Sequence, residues 1–284
     1  LIKHIPKRLT VLDWGYSHDR DFESIRDFKK AGLEFYACPG TSSWVSLFPR
    51  LPEAMANISG FAAAGRKHGA AGLLNTDWGD GGHYNFMEFS WHGYLFAAEQ
   101  AWNTRASEKT FTRRFCRLFL DVDRADLARA LTDLGDVAQL SCSGYYQSIW
   151  LHIFFAKPDE PVFDGQVRDA VLSRQGRIHR KRMRLTAKVG RDARDKLVRI
   201  RRVLARYDKQ KDADPRGVLP YWIFAVDTLL HAARKLAALG PGGRDTRAAR
   251  KQLKKELRSL QRRFEKLWRA RNRKSEIRIT RKKY

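Results

Sequence analysis

The chain has 284 residues, of which 43% are hydrophobic and 12% aromatic, enough to build one large core or two ordinary ones and too apolar for a disordered chain. It has no run of 18 apolar residues, which excludes a long apolar membrane-spanning helix. The net charge of +25 is one-sided: residues 1–150 hold 17 Lys and Arg against 17 Asp and Glu, and residues 151–284 hold 39 against 14. A neutral half therefore precedes a basic one, which raises nucleic acid or another anionic surface as a partner beside the plain reading of a solvated basic face. Cys38, Cys116 and Cys142 are odd in number and lack metal-ligand spacing, which argues against a disulfide framework and favours a reducing compartment, the cytoplasm. The sequence opens on Leu1 without a signal-like apolar stretch, and it reads as a portion of a longer product whose targeting is not legible here.

In chain order, LTVLDWGY (9–16) reads as a strand, DFESIRDFKKAG (21–32) as a helix with a glycine stop, and LEFYACPG (33–40) as a second strand. PEAMANISGFAAAGRKHG (52–69) has helical spacing, AAGLLNTDWGDGG (70–82) reads as a third strand entering a glycine-rich loop, and EFSWHGYLFAAEQAWN (88–103) as a helix. Strand–helix alternation implies a parallel sheet with right-handed crossovers. Three strands cannot close a barrel, so the expectation is a partial TIM (β/α)8 barrel, its last three βα units, over residues 1–106. From about residue 109 the spacing predicts helices only, including a long basic helix over 166–207, and hence an all-α helical C-terminal domain over 107–284. On that helix Arg174, Arg177, Arg180, Lys181 and Arg184 would share one stripe.

In βα barrels, chemistry sits at the carboxyl ends of the strands. The three strands end in Asp13-Trp14-Gly15-Tyr16, Tyr36-Ala37-Cys38-Pro39-Gly40 and Asp77-Trp78-Gly79-Asp80, and Trp44 follows in the loop TSSW. Aromatic rings beside carboxylates suit a sugar, whose C–H face packs on a ring while its hydroxyls donate to carboxylate oxygens. His18, His83 and His92 have no metal-ligand spacing, Gly79, Gly81 and Gly82 lack the dinucleotide-binding spacing, and Cys38 has no activating histidine. Neither a metal nor a cofactor is expected.

VLDWGY, FYACPGTSSW and GLLNTDWGDGGH, in this order and spacing, resemble the closing strands of glycoside hydrolase family 20, and FEKLWRARNRKSEI (264–277) resembles the C-terminal end of its bacterial β-N-acetylhexosaminidase branch. The resemblance implies removal of terminal N-acetyl-β-D-hexosamine residues with retention of configuration, the substrate's own acetamide oxygen acting as nucleophile. It implies that Trp78 is the stacking floor under the sugar and that Asp80 accepts from the outer hydroxyls. It further implies that Tyr36 binds the acetamide oxygen, that Trp14 walls the acetamide methyl and that Trp44 stands on the same rim. Asp13, Asp77 and His83 read as supporting groups. The family's catalytic Asp-Glu pair follows the fourth strand, whereas the one Asp-Glu here, Asp159-Glu160, lies between prolines in a predicted loop. The expectation is an active full-length parent and an inactive fragment. The implied partner is an N-acetylhexosamine-containing glycan, with a homodimer as a possible assembly and nucleic acid binding limited to the non-specific. The alternatives are a basic helical nucleic-acid-binding or scaffold module and a sugar-binding barrel without catalysis.

Overall fold

In a computed structural model, residues 2–18, 21–80, 84–103, 106–142, 145–275 and 277–281 are described. The neutral half begins β1 (Thr10–Trp14), α1 (Glu23–Lys30), β2 (Glu34–Cys38), α2 (Leu51–His68), β3 (Gly72–Leu73) and α3 (Met87–Trp102). The strands form a parallel sheet in the order β1-β2-β3. Its third strand is two residues long instead of spanning 70–82, and a single bridge between Gly40 and Thr76 prolongs the pairing.

Strand pleating divides this sheet into two unlike faces. Phe35 and Ala37 point into a small core with Ile25 of α1 and Phe61 of α2. The opposite face carries the row Leu12–Tyr36–Gly72, set by the register of the three strands. That face is open: Leu12 is 51% exposed and Trp14, two residues on, is 64% exposed. A Cβ on Gly72 would lie 2.5 Å from the Tyr36 ring, so the missing side chain there makes room for the tyrosine.

The second half corrects the expected all-α domain. After α4 (Glu108–Phe119) and α5 (Ala125–Ala138) come β4 (Ser141–Cys142), β5 (Tyr145–Ser148), α6 (Ile149–Phe155), β6 (Val167–Arg174) and β7 (Arg177–Arg184). The four strands form an antiparallel sheet in the order β5-β4-β6-β7. The predicted long helix over 166–207 is thus a β-hairpin followed by α7 (Ala187–Tyr207). Gln175 and Gly176 both adopt positive φ, 52° and 75°, the two-residue turn whose twist matches paired strands. Asp136 of α5 catches that turn, accepting from Ser173 Oγ (2.6 Å) and the Gln175 N–H (2.8 Å). Arg174, Arg177, Arg180, Lys181 and Arg184 therefore do not form a helical stripe. Arg180 and Lys181 point to opposite faces of β7, as neighbours in a strand must.

The chain continues with α8 (Leu219–Leu239), α9 (Arg247–Arg271) and the short α10 (Ile277–Arg281). Helix α8 is apolar nearly all round and buried along its length, as expected of a helix enclosed by neighbours. It packs against α3, α6, α7 and α9. The Trp222 Nε1–H donates to the Glu88 carbonyl of α3 (2.9 Å), and the Trp222 ring meets Phe48 edge-on with centroids 6.3 Å apart. One hydrophobic cluster runs from Leu47 to Ile277 and so crosses the expected boundary at 106/107. The basic half is anchored to the neutral half by this shared core.

Two features of this core yield expectations. Helices α7 and α8 touch at Gly190, where a Cβ would lie 2.6 Å from both the Ala233 carbonyl oxygen and the Ala237 nitrogen. Alanine favours helices over glycine, yet Gly190→Ala should lower stability by about 1–3 kcal/mol because rigid backbone must move; an unchanged or raised urea midpoint contradicts this. His92 of α3 is enclosed by Phe111 and Phe115, with Nε2 3.1 Å from Thr112 Oγ1, and burial pushes its pKa down to about 3. Between the ordinary histidine value and about pH 3 the unfolded chain binds the extra proton, so this group makes stability fall as pH falls, by up to about 1.4 kcal/mol per unit. Replacing His92 with Gln should flatten the pH dependence of the unfolding midpoint over that window; an unaltered slope contradicts the assignment.

Candidate functional site

The carboxyl ends of β1–β3 converge on Tyr16. Its ring stacks on Trp14 (centroids 5.8 Å apart, planes at 21°) and meets Trp44 edge-on at 4.7 Å. Its hydroxyl oxygen accepts from Trp78 Nε1–H (2.5 Å) and from Thr76 Oγ1 (3.3 Å). Trp14 and Trp78 both stand largely in solvent, at 64% and 45% exposure. Two indoles bracketing a tyrosine thus offer apolar ring surface to solvent at the edge where βα folds place ligands.

Trp44 is a correction. It is 5% exposed and lies beneath Tyr16 as a pedestal, not on a rim. A Cβ on Gly40 would come within 2.8 Å of the Trp44 ring and 2.9 Å of Tyr16, so the glycine after Pro39 lets both rings close over the strand end.

The loop carrying Trp44 is buried without regular structure, so its polar groups need partners. Asp77 accepts from Thr41 Oγ1 (2.7 Å) and Ser43 Oγ, while burial and the Asp77 carboxylate push the Tyr94 hydroxyl up to about 12. Arg50, itself buried, donates to the Trp44 carbonyl (3.2 Å) and to Glu53 (2.9 Å). Burial would raise the Glu53 pKa, but the bonds from His18 and Arg50 outweigh it and hold the carboxyl below its ordinary value. Asp13 is buried and accepts from Ser24 Oγ at 2.8 Å, beside the first turn of α1. Asp13 thus ties β1 to α1, and Asp77 holds the loop after β2. His83 lies outside the described residues.

Asn57 and Tyr16 are the residues that pattern reading passes over. Asn57 is fully buried in α2. Its Nδ2 donates to the carbonyls of Gly15 and Ser17 (3.0 Å each), and its Oδ1 accepts from the Gly40 N–H (3.1 Å). One amide thereby ties the loops after β1 and β2 to one helix. The available signal is a lone Asn at a core position of the alanine-rich PEAMANISGFAAAG; for Tyr16 it is an aromatic two residues beyond Trp14.

Tyr36 lies on the open face and Asp80 is exposed, and among the described residues neither side chain has a hydrogen-bonding partner. Both are free to meet a ligand. The structure brings Trp14 and Trp78 together through Tyr16; no ring contact or hydrogen bond joins Tyr36 or Asp80 to that cluster among the described residues. Asp159-Glu160 falls in the loop between α6 and β6, where Glu160 Oε1 accepts from the Lys157 N–H (2.7 Å). The Cys38 thiol is pushed up to about 11 by burial and by Asp13, which suits a packed side chain and not a nucleophile. All three cysteines are free and buried. Among the described residues no group of His, Cys, Asp and Glu is arranged to hold a metal ion, and no helix is long and apolar enough to cross a membrane.

No family model matches this chain, and no curated protein matches it.

If Asn57 sets the loop positions, Asn57→Ala strands the Gly40 N–H and two carbonyls in a buried site. The variant should lose about 1–3 kcal/mol in urea unfolding. A midpoint within error of the parent protein contradicts that role.

Proposed function

We propose that residues 1–106 are the closing arc of a (β/α)8 barrel, and that the full-length protein is a retaining, substrate-assisted β-N-acetylhexosaminidase of the glycoside hydrolase family 20 type. The observation that carries the reading is the pair of solvent-facing indoles, Trp14 and Trp78, bracketing Tyr16 at the carboxyl edge of a parallel sheet. A second feature supports it. Parallel sheets are ordinarily covered on both faces, and the face bearing Leu12, Trp14 and Tyr36 is the one that further barrel strands would cover.

On this reading the C–H face of a terminal GlcNAc or GalNAc packs on Trp78, and Asp80 accepts from its outer hydroxyls. Tyr36 donates to the acetamide oxygen and aligns it with the anomeric carbon, with Trp14 against the acetamide methyl. The acetamide supplies the nucleophile. On this reading the general acid comes from outside this chain: Asp159-Glu160 lies in the loop between α6 and β6, Asp13 accepts from Ser24 of α1, and Asp77 accepts from Thr41. The chain alone therefore binds sugar without cleaving it. Engagement of those two carboxylates also favours, as the second reading, a sugar-binding barrel that lacks catalysis.

In the full-length protein, Asp80→Asn should cut kcat/KM on p-nitrophenyl N-acetyl-β-glucosaminide by roughly ten- to a hundredfold, the loss of charge-assisted hydrogen bonds. Trp78→Ala should weaken substrate and transition state together. Tyr36→Phe should lower kcat more than it raises KM, because alignment matters most as the ring closes. Unchanged turnover in all three overturns the assignment. A parent protein that binds the sugar but hydrolyses nothing selects the second reading.

A further inference from the structure

About half of the Lys and Arg of the second half lie on two helices. Together α7 and α9 carry 19 Lys and Arg against four Asp and Glu. Both pack on α8, and between them runs a groove of about 850 Å³, walled by Arg201 and Arg202 of α7, Lys209 just beyond its end and Arg263 of α9, over Asp227 and Arg234 of α8. The carboxylates in the groove are already outnumbered. Asp227 accepts from Arg201 (2.5 Å) and is paired with Arg263 (2.5 Å), while Glu256 accepts from Arg234 (2.8 Å) and faces His231 Nδ1 at 3.4 Å. One carboxylate shared by two guanidinium groups leaves a surplus charge and unused N–H donors facing the groove. Arg202 and Lys209 are exposed and form no ion pair with a carboxylate at contact distance among the described residues, although Asp208 lies beside Lys209. At helical spacing Arg191 extends the same face of α7, and exposed Lys255, Arg262 and Lys266 form the adjoining ridge of α9.

We propose that this groove and its two basic ridges bind the phosphate backbone of a nucleic-acid duplex without reading its sequence. The charge is spread along helices about 31 and 37 Å long, which suits a linear polyanion better than a small ion. Concavity fits a rod and not a flat bilayer. Every aromatic residue of α7 and α9, namely Tyr207, Phe264 and Trp268, is buried, so no ring is offered for stacking unpaired bases. This surface is independent of the sugar-binding reading, since it involves none of its residues.

The test is fluorescence anisotropy on this 284-residue chain with two labelled 20-base-pair duplexes of unrelated sequence, across a salt series. Both should bind alike, with log K falling against log[NaCl] at a slope of about −4 to −6, the signature of roughly five phosphate contacts. The quadruple variant Arg202→Glu, Lys209→Glu, Arg262→Glu, Lys266→Glu should weaken binding at least tenfold at about 0.1 M salt and flatten the slope by about 3 to 4. The variant Arg177→Glu, Arg180→Glu, Lys181→Glu, Arg184→Glu has the same net charge and should weaken it less than about threefold. Glutamine at the same four groove and ridge positions should give an intermediate loss, which keeps the test decisive if charge reversal disturbs folding as read by circular dichroism. Equal weakening by the groove and hairpin variants overturns the proposal, as does selectivity between the duplexes or stronger binding to phosphatidylserine vesicles than to DNA.

Discussion

A parallel sheet buried on one face is the constraint on which the neutral half depends. Pleating sends Phe35 and Ala37 toward α1 and α2 and leaves Leu12, Trp14 and Tyr36 on the other side. The cost of exposing that face is tolerated because the covered side is tied down at its carboxyl edge. Asn57 reaches from α2 to the loops after β1 and β2, and Asp77 and Arg50 satisfy the buried loop between Thr41 and Arg50. Tyr16 can then hold two indoles in solvent without packing either of them away. The exposed rings are a consequence of a rigid base, not of a loose end.

The basic half solves a different problem. Lys and Arg crowd α7 and α9, and like charges at this density oppose compaction. The opposing term is α8, an apolar helix enclosed by α3, α6, α7 and α9 and sharing one core with the neutral half. Asp227 lowers the repulsion locally by bridging Arg201 of α7 and Arg263 of α9, and Glu256 of α9 pairs with Arg234 of α8. The charge that remains unpaired faces outward, where solvent screens it and a polyanion can use it.

Much of the neutral half was legible in the sequence. Glycine and proline punctuate β1, α1, β2, α2 and α3, and apolar spacing places each to within a few residues of where it lies. The hairpin over 167–184 was not, because RIHRKRMR has too few apolar residues to display a period of two, and its strand character comes from pairing with β6 and from Asp136 gripping the turn. Of the candidate site, Trp14 and Trp78 were legible as strand-end aromatics. Burial of Trp44 was not, since it depends on Gly40 letting Tyr16 close over it. The parts of Asn57 and Tyr16 were also hidden, because a hydrogen bond between residues 42 or 62 positions apart leaves no local pattern.

The central claim is that the Trp14–Tyr16–Trp78 platform receives an N-acetylhexosamine. Saturation-transfer NMR on this chain with N-acetylglucosamine separates the two outcomes. A sugar seated on the platform should give strong transfer to its acetamide methyl and to the C–H face of its ring, lost in a Trp14→Ala, Trp78→Ala double variant that retains the unsubstituted chain's unfolding midpoint. No transfer to the sugar, or transfer that survives removal of both indoles, contradicts it.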